Sequence, residues 1–258
     1  PSAPPAIGPT SPASPCRVTV RTDVTVPQLL QTAARLRLGP LPPTARDGVS
    51  SPVRAFGAVG LANRLKNPLS ALKAFLLFRY AQFLTIFGLR ARAHEFIELT
   101  LRQNPRHQRA WTFSAFLNAE KGRMDAAIRD FAQAVALKPD DADSLFNLGF
   151  ALQRIGRHSE ALERFQHATE ANRFLDRAWY GMGISLVKLG RYEEAAPKFA
   201  EAARLQPMNP YAAYQLASCW FHLGQRDKLE GEYERVKGFD PKIAAQMQRD
   251  FGAGQPER

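Results

Sequence analysis

From about residue 69 onward, apolar residues recur three and four positions apart, the spacing of helices with one buried face. Leu145, Leu148 and Leu152 make one such stripe; Leu162 and Phe165 begin the next. The pattern itself repeats. Setting SLFNLGFALQRIGR (144–157) against AWYGMGISLVKLGR (178–191) gives a period of 34 residues, which extends to blocks at 74–107, 108–141, 142–175, 176–209 and 210–243. One column across the blocks reads Gly88, Gly122, Gly156, Gly190, Gly224; another reads Pro105, Pro139, Arg173, Pro207, Pro241. A third holds only small residues: Ala81, Ala115, Gly149, Gly183, Ala217.

Each column has a physical role. The glycine ends a first helix with a residue that tolerates positive φ. The proline ends the second helix or opens the next, where a missing N–H costs little. The small column lets neighbouring helix axes approach closely. Pro197 is expected within the first turn of its helix, where no intrahelical donor is lost. No helix pair of this kind buries its apolar face alone, so stacking of successive pairs completes the core.

These columns resemble the tetratricopeptide repeat family, whose 34-residue pattern is Trp-x2-Leu-Gly-x2-Tyr, then Ala-x3-Phe, then Pro. The fourth block matches as Trp179, Met182, Gly183, Leu186, Ala195, Phe199 and Pro207. The third matches as Leu145, Leu148, Gly149, Leu152, Ala161, Phe165 and Ala168, with Arg173 in place of proline. The second departs at Ser114 and Asn118, the fifth at Leu229 and Val236, and the first diverges most. The resemblance covers about residues 74–243. It implies an all-α chain: a right-handed helical solenoid of tetratricopeptide-type helix hairpins, preceded by a mostly irregular N-terminal extension. It also implies a non-enzymatic protein–protein interaction scaffold or chaperone-like adaptor.

In this family the first-helix face opposite the core lines a concave groove. Here that face carries Phe75, Phe78, Arg79, Phe113, Phe116, Phe146, Asn147, Phe150, Arg177, Tyr180, Ile184, Tyr211, Tyr214 and Phe221. A solvated face is expected to be polar, and an aromatic one marks an interaction surface. One family variant clamps a terminal carboxylate with Lys, Arg and Asn. Only Asn147 and Arg177 match it, while Thr112, Phe116 and Gly181 fill the other places. The expected occupant is therefore an apolar, extended or helical protein segment.

The N-terminal third is different in kind. Residues 1–16 are a Pro/Ser/Ala-rich leader of low complexity, expected to be disordered. Residues 17–67 form an extension whose VTVRTDVTV (18–26) alternates like a strand, with short helices expected at 28–38 and 53–66. The solenoid then occupies 68–243, and 244–258 supply a capping helix and tail. The valine face of 18–26 makes this segment one candidate occupant of the chain's own groove.

Charge adds two alternatives. Of the 35 Lys and Arg, fifteen fall in residues 1–110 against four Asp and Glu, so the whole formal excess of +11 lies there. Such a region suits an anionic membrane surface or nucleic acid, giving a peripheral membrane-complex assembly factor or a basic nucleic-acid-binding module as alternative readings. The aromatics are not interleaved with Lys and Arg as strand stacking requires. Residues 69–89 are apolar enough to raise a membrane span, but Lys73, Arg79 and Gln82 are costly at that depth.

The five histidines show no ligand spacing and Cys219 has no histidine partner in sequence, so no enzyme activity, cofactor or metal is expected. Two cysteines form no disulfide framework, residues 1–30 hold no apolar signal-peptide core, and arginine outnumbers lysine 26 to 9. The setting expected from these features is a bacterial cytoplasm, with or without membrane association. The oligomeric state and the client are not encoded in any readable pattern.

Overall fold

A computed structural model describes residues 68–254, all of which belong to one compact unit, Phe56–Arg258. The strand expected at 18–26 and the helices expected at 28–38 and 53–66 lie outside the described residues. Within them the chain is helical, with no strand. Ten helices pair into five hairpins: α1 (Pro68–Ile86) with α2 (Arg90–Gln103), α3 (Gln108–Glu120) with α4 (Met124–Leu137), α5 (Ala142–Arg154) with α6 (His158–Ala171), α7 (Asp176–Lys188) with α8 (Tyr192–Leu205), and α9 (Pro210–His222) with α10 (Arg226–Lys237). The helix α11 (Pro241–Phe251) follows. Each helix packs on its sequence neighbours, and the first helices of adjacent hairpins also touch, as α5 and α7 do. This is a solenoid of helix hairpins.

The hairpin turns are one motif used five times. In the third, Gly156 sits at φ 80°, its N–H donating to the Gln153 carbonyl, while the N–H of Arg157 donates to the Leu152 carbonyl. These two bonds close the helix end in a Schellman turn. The other four glycines of the column repeat it at φ 68–75°. A Cβ on any of them would meet nothing, so backbone conformation and not space demands glycine there.

The core glycines obey the opposite rule. Phe165 on α6, fully buried, wedges between Gly149 of its own hairpin and Gly181 of the next; a Cβ would lie 2.9 Å from its ring at the first and 2.7 Å at the second. Phe199 on α8 does the same to Gly183 at 2.6 Å. Gly181 is thus a packing residue that lets Phe165 join two repeats. Between hairpins, the indoles of Trp111 and Trp179 donate to the carbonyls of Pro105 and Arg173, each at 2.8 Å. Arg173 serves as well as proline here because only the carbonyl is used.

Two expectations change. Pro197 is the sixth residue of α8, not part of its first turn, so the bond a donor there would make to the Glu193 carbonyl is lost. The helix continues because its buried face, including Ala195, Ala196 and Phe199, holds it. Ser114 and Asn118, the departures of the second block, are buried and share one acceptor: Oδ2 of Asp130 on α4 takes the Ser114 hydroxyl at 2.7 Å and the Asn118 amide at 2.9 Å. A small polar cluster therefore sits within an otherwise apolar hairpin core that still buries Ala115, Ala127 and Phe131. Desolvation pushes the Asp130 carboxyl above the usual carboxylate range despite these bonds, and they, with nearby His94 and Arg129, act the other way.

At the C-terminal end, α11 begins with Pro241 behind an Asp240 cap that accepts from the N–H groups of Lys242 and Ile243. Its Ala244, Met247 and Phe251 bury against Ala213, Ala217, Leu229 and Val236. No helix among the described residues is long and apolar enough to cross a membrane.

Candidate protein-interaction surface

The first helices of the hairpins present equivalent positions side by side, so one column of the repeat becomes one row across the surface. The sequence stripe divides into three groups when placed on this ladder.

The first group is covered. Phe78, Phe113 and Phe146 are buried at 6%, 8% and 7% exposure, because neighbouring repeats pack against them. Phe78 lies against His107 and Phe113, with ring centroids at 4.8 and 6.0 Å. Phe146 packs on Phe165 and lies under the Arg177 guanidinium, 4.7 Å from its ring. These three rings belong to the inter-repeat core and present little open surface. Asn147 is buried as well, and Arg79 is half-buried and donates to Gln82 Oε1 at 3.2 Å. Arg177, exposed, pairs with Asp143 of the preceding hairpin, so it links α7 to α5.

The second group is covered by the chain's own end. Phe251 of α11 lies 5.1 Å from Tyr214 and 5.5 Å from Phe221, between ring centroids. The Tyr214 hydroxyl donates to Asp250 Oδ2 at 2.6 Å, and burial with this carboxylate raises the phenol far above its ordinary range. Tyr211 and Phe221 nonetheless keep exposed edges. At the other end, Phe75 is exposed beside Leu72, and Ile86, Phe87 and Leu89 are exposed around the first turn.

The third group remains open in the middle of the array. Phe116 on α3, Phe150 on α5 and Ile184 on α7 occupy one repeat position and are all half-buried. Tyr180 joins them, its ring 5.5 Å from Phe199 and its hydroxyl bonded to Gln215 of the next first helix; burial pushes its phenol above the ordinary range and disfavours ionisation. The same position is Gln82 in the first hairpin and Ser218 in the fifth. The apolar row is therefore three rungs long, with polar ends.

Polar bridges hold those rungs in register. Gln153 donates its amide to the Gly181 carbonyl at 3.0 Å and to Ser185 Oγ at 2.9 Å, tying α5 to α7. Gln108 does likewise between α3 and α5, to Asp141 Oδ2 at 3.0 Å and Ser144 Oγ at 2.7 Å. Sequence periodicity places both glutamines at helix positions but does not show that their amides span repeats. No group of three or more His, Cys, Asp or Glu among the described residues is arranged to hold a metal ion. Cys219 is fully buried, and its thiol is pushed up to about 12 by desolvation.

A family model described as TPR repeat matches residues 118–156, and two described as tetratricopeptide repeat match 142–174 and 180–241. Comparison with curated proteins gives no match. Among solved structures, the chain is similar to YrrB, described as a TPR protein with an unusual peptide-binding site: 19% identity, TM-score 0.61, 73% of this chain and 97% of that one. It is similar to MamA of Desulfovibrio magneticus RS-1 at 18% identity and TM-score 0.58, over 69% and 96% of the two chains. To pilF of Pseudomonas aeruginosa it is 17% identical, with TM-score 0.57 over 72% and 95%. At such identities the likeness is one of fold.

Proposed function

The chain is a tetratricopeptide-repeat protein, and from that premise we propose that it is a non-enzymatic protein-interaction scaffold. In this reading it holds an apolar segment of a partner protein against the first helices of its middle repeats. One observation carries the reading. Phe116, Phe150 and Ile184 stand in a row on α3, α5 and α7, half-buried, although the fold has polar residues at the same place in its outer hairpins. Each packs one side on its hairpin core, Phe116 on Phe131 and Phe150 on Phe146, and the apolar surface they leave accessible in register is what a partner segment buries. The likeness to a fold-mate described as having a peptide-binding site supports it.

The test is selection of a random-peptide phage library on the immobilised full chain, in parallel with a Phe116→Ser/Phe150→Ser/Ile184→Ser variant. The reading expects peptides enriched on the first and not on the second, at equal melting temperatures. Peptides that bind both alike contradict it.

A second reading has its own observation. Leu72, Phe75, Ile86, Phe87 and Leu89 are exposed on or beside α1, near the exposed Arg90 and Arg92. Apolar side chains rimmed by cations suit the surface of an anionic bilayer. Flotation with vesicles containing phosphatidylserine, against phosphatidylcholine alone, tests it: binding to the first only supports the reading, and no binding to either removes it.

A further inference from the structure

From Lys138 through the fifth hairpin, nearly every cation is paired. Lys138, Arg157, Arg164, Arg177, Arg191 and Arg204 meet carboxylates, as do Arg226, Arg235 and Lys237 farther along. Arg173, Lys198 and Lys228 sit over the rings of Phe174, Trp179 and Trp220. Between Lys138 and Lys237, two cations are left with no carboxylate or ring among the described residues: Arg154 and Lys188, both exposed.

Their placement is not scattered. They are 34 residues apart, so they hold the same position in the last turns of α5 and α7. Each lies four residues beyond a member of the apolar row: Phe150 then Arg154, Ile184 then Lys188. Residues four apart share a helix face about 5–6 Å from one another, so each cation borders its apolar neighbour. Favouring a helix C-terminus does not explain the pair, since the equivalent residues are Ile86, Glu120 and His222. The last two are engaged: Glu120 pairs with Arg90, and His222 stacks on Tyr192 at 4.3 Å. His158, close to Lys188, offers no third charge, because burial first and Lys188 second disfavour its protonation. Its Nδ1 is buried with no hydrogen-bond partner among the described residues.

Resting on the groove reading above, we infer that the partner is an acidic segment: apolar side chains on Phe150 and Ile184, flanked by two carboxylates that meet Arg154 and Lys188. Adjacent helix axes stand about 8–10 Å apart, which sets the spacing of the two carboxylates. Phosphate-backbone recognition fits less well, because a nucleic acid needs a continuous track of cations and this row is apolar on one side and has two cations on the other. Charge at such a rim governs choice of partner and encounter rate.

The experiment uses the full chain and the same phage library, selected on the wild type and on Arg154→Glu/Lys188→Glu, with Phe150→Ser as the groove control. Peptides from the wild type should be rich in Asp and Glu beside Leu, Ile or Phe. Their affinity by fluorescence anisotropy should drop about tenfold or more on charge reversal, with the loss shrinking as salt screens the pair. The reversed protein should instead select Lys and Arg. Peptides that depend on Phe150 but show no acidic bias, or that bind the reversed protein equally, overturn this inference and leave the groove reading standing. Failure to enrich any Phe150-dependent peptide overturns both. Oligothymidylate that displaces the peptides through Arg154 and Lys188, with a steep salt dependence, assigns the cations to phosphate and also overturns the inference.

Discussion

Replacing Asp130 by alanine removes the single acceptor shared by Ser114 and Asn118. Both donors are buried at 6% exposure, and their bonds to Oδ2 are 2.7 and 2.9 Å. A buried polar group left unmatched costs about 1–3 kcal/mol. The serine hydroxyl can turn back to a carbonyl of its own helix, so the expected loss is roughly 2–4 kcal/mol. Asp130→Asn keeps an oxygen at the same place and should cost less than about 1 kcal/mol.

The pH dependence separates the two effects. Burial raises the Asp130 carboxyl above its unfolded value of about 3.9. The folded protein therefore binds this proton more tightly than the unfolded chain. Its contribution to stability is full below the unfolded pKa and is lost as pH rises through the folded one. The wild type carries that ionisation cost at neutral pH and Asp130→Asn does not, so the asparagine variant should compare better at pH 7 than at pH 4. Amide exchange followed by mass spectrometry over α3 and α4, beside urea denaturation, is the assay. Repeats sense mainly their neighbours, so exchange in α9 and α10 should be unchanged. An Asp130→Ala protein as stable as the wild type, or a wild-type-to-Asn difference that ignores pH, refutes the shared-acceptor account.

Gly183→Ala should destabilise by about 1–3 kcal/mol through overpacking despite alanine's higher helix propensity, because its Cβ would lie 2.6–2.8 Å from the buried Phe199 ring. Equilibrium denaturation showing a stabilised variant contradicts that wedge. Deleting residues 241–258 should lower the melting temperature and speed exchange in α9 and α10, by uncovering Ala213, Ala217, Leu229 and Val236; an unchanged melt denies α11 a capping role. In a Cys16→Ser background, Cys219 should not react with a thiol reagent at pH 8 until denaturant is added, since it is fully buried and its thiol is pushed up to about 12. Rapid native labelling would contradict its burial.

The repeat was legible because its columns answer to rules that act within one helix or one turn. Five glycines at one spacing mean five turns at positive φ, and the structure has all five. The surface was less legible, because exposure depends on the next repeat as well as on the residue's own helix. Helical periodicity put Phe78, Phe113 and Phe146 on the open face, and neighbouring first helices and loops cover them. Gly181 was visible only as a missing clamp residue; its reason is the Phe165 ring arriving from α6. Ser114 and Asn118 read as departures from the pattern until Asp130, sixteen and twelve residues on, supplied their acceptor. The isolation of Arg154 and Lys188 could not be read at all, since it is defined by where every other carboxylate goes.

The central claim is that a partner segment lies on the row formed by Phe116, Phe150 and Ile184. The most direct measurement places a photo-crosslinking amino acid at position 150, and separately at exposed Gln166 on α6. Each protein is irradiated with a peptide selected on the wild-type chain. Crosslinking from position 150 and none from position 166, abolished by excess unlabelled peptide, is the predicted result. Crosslinking from position 166 with none from position 150 would place the partner elsewhere and contradict the account.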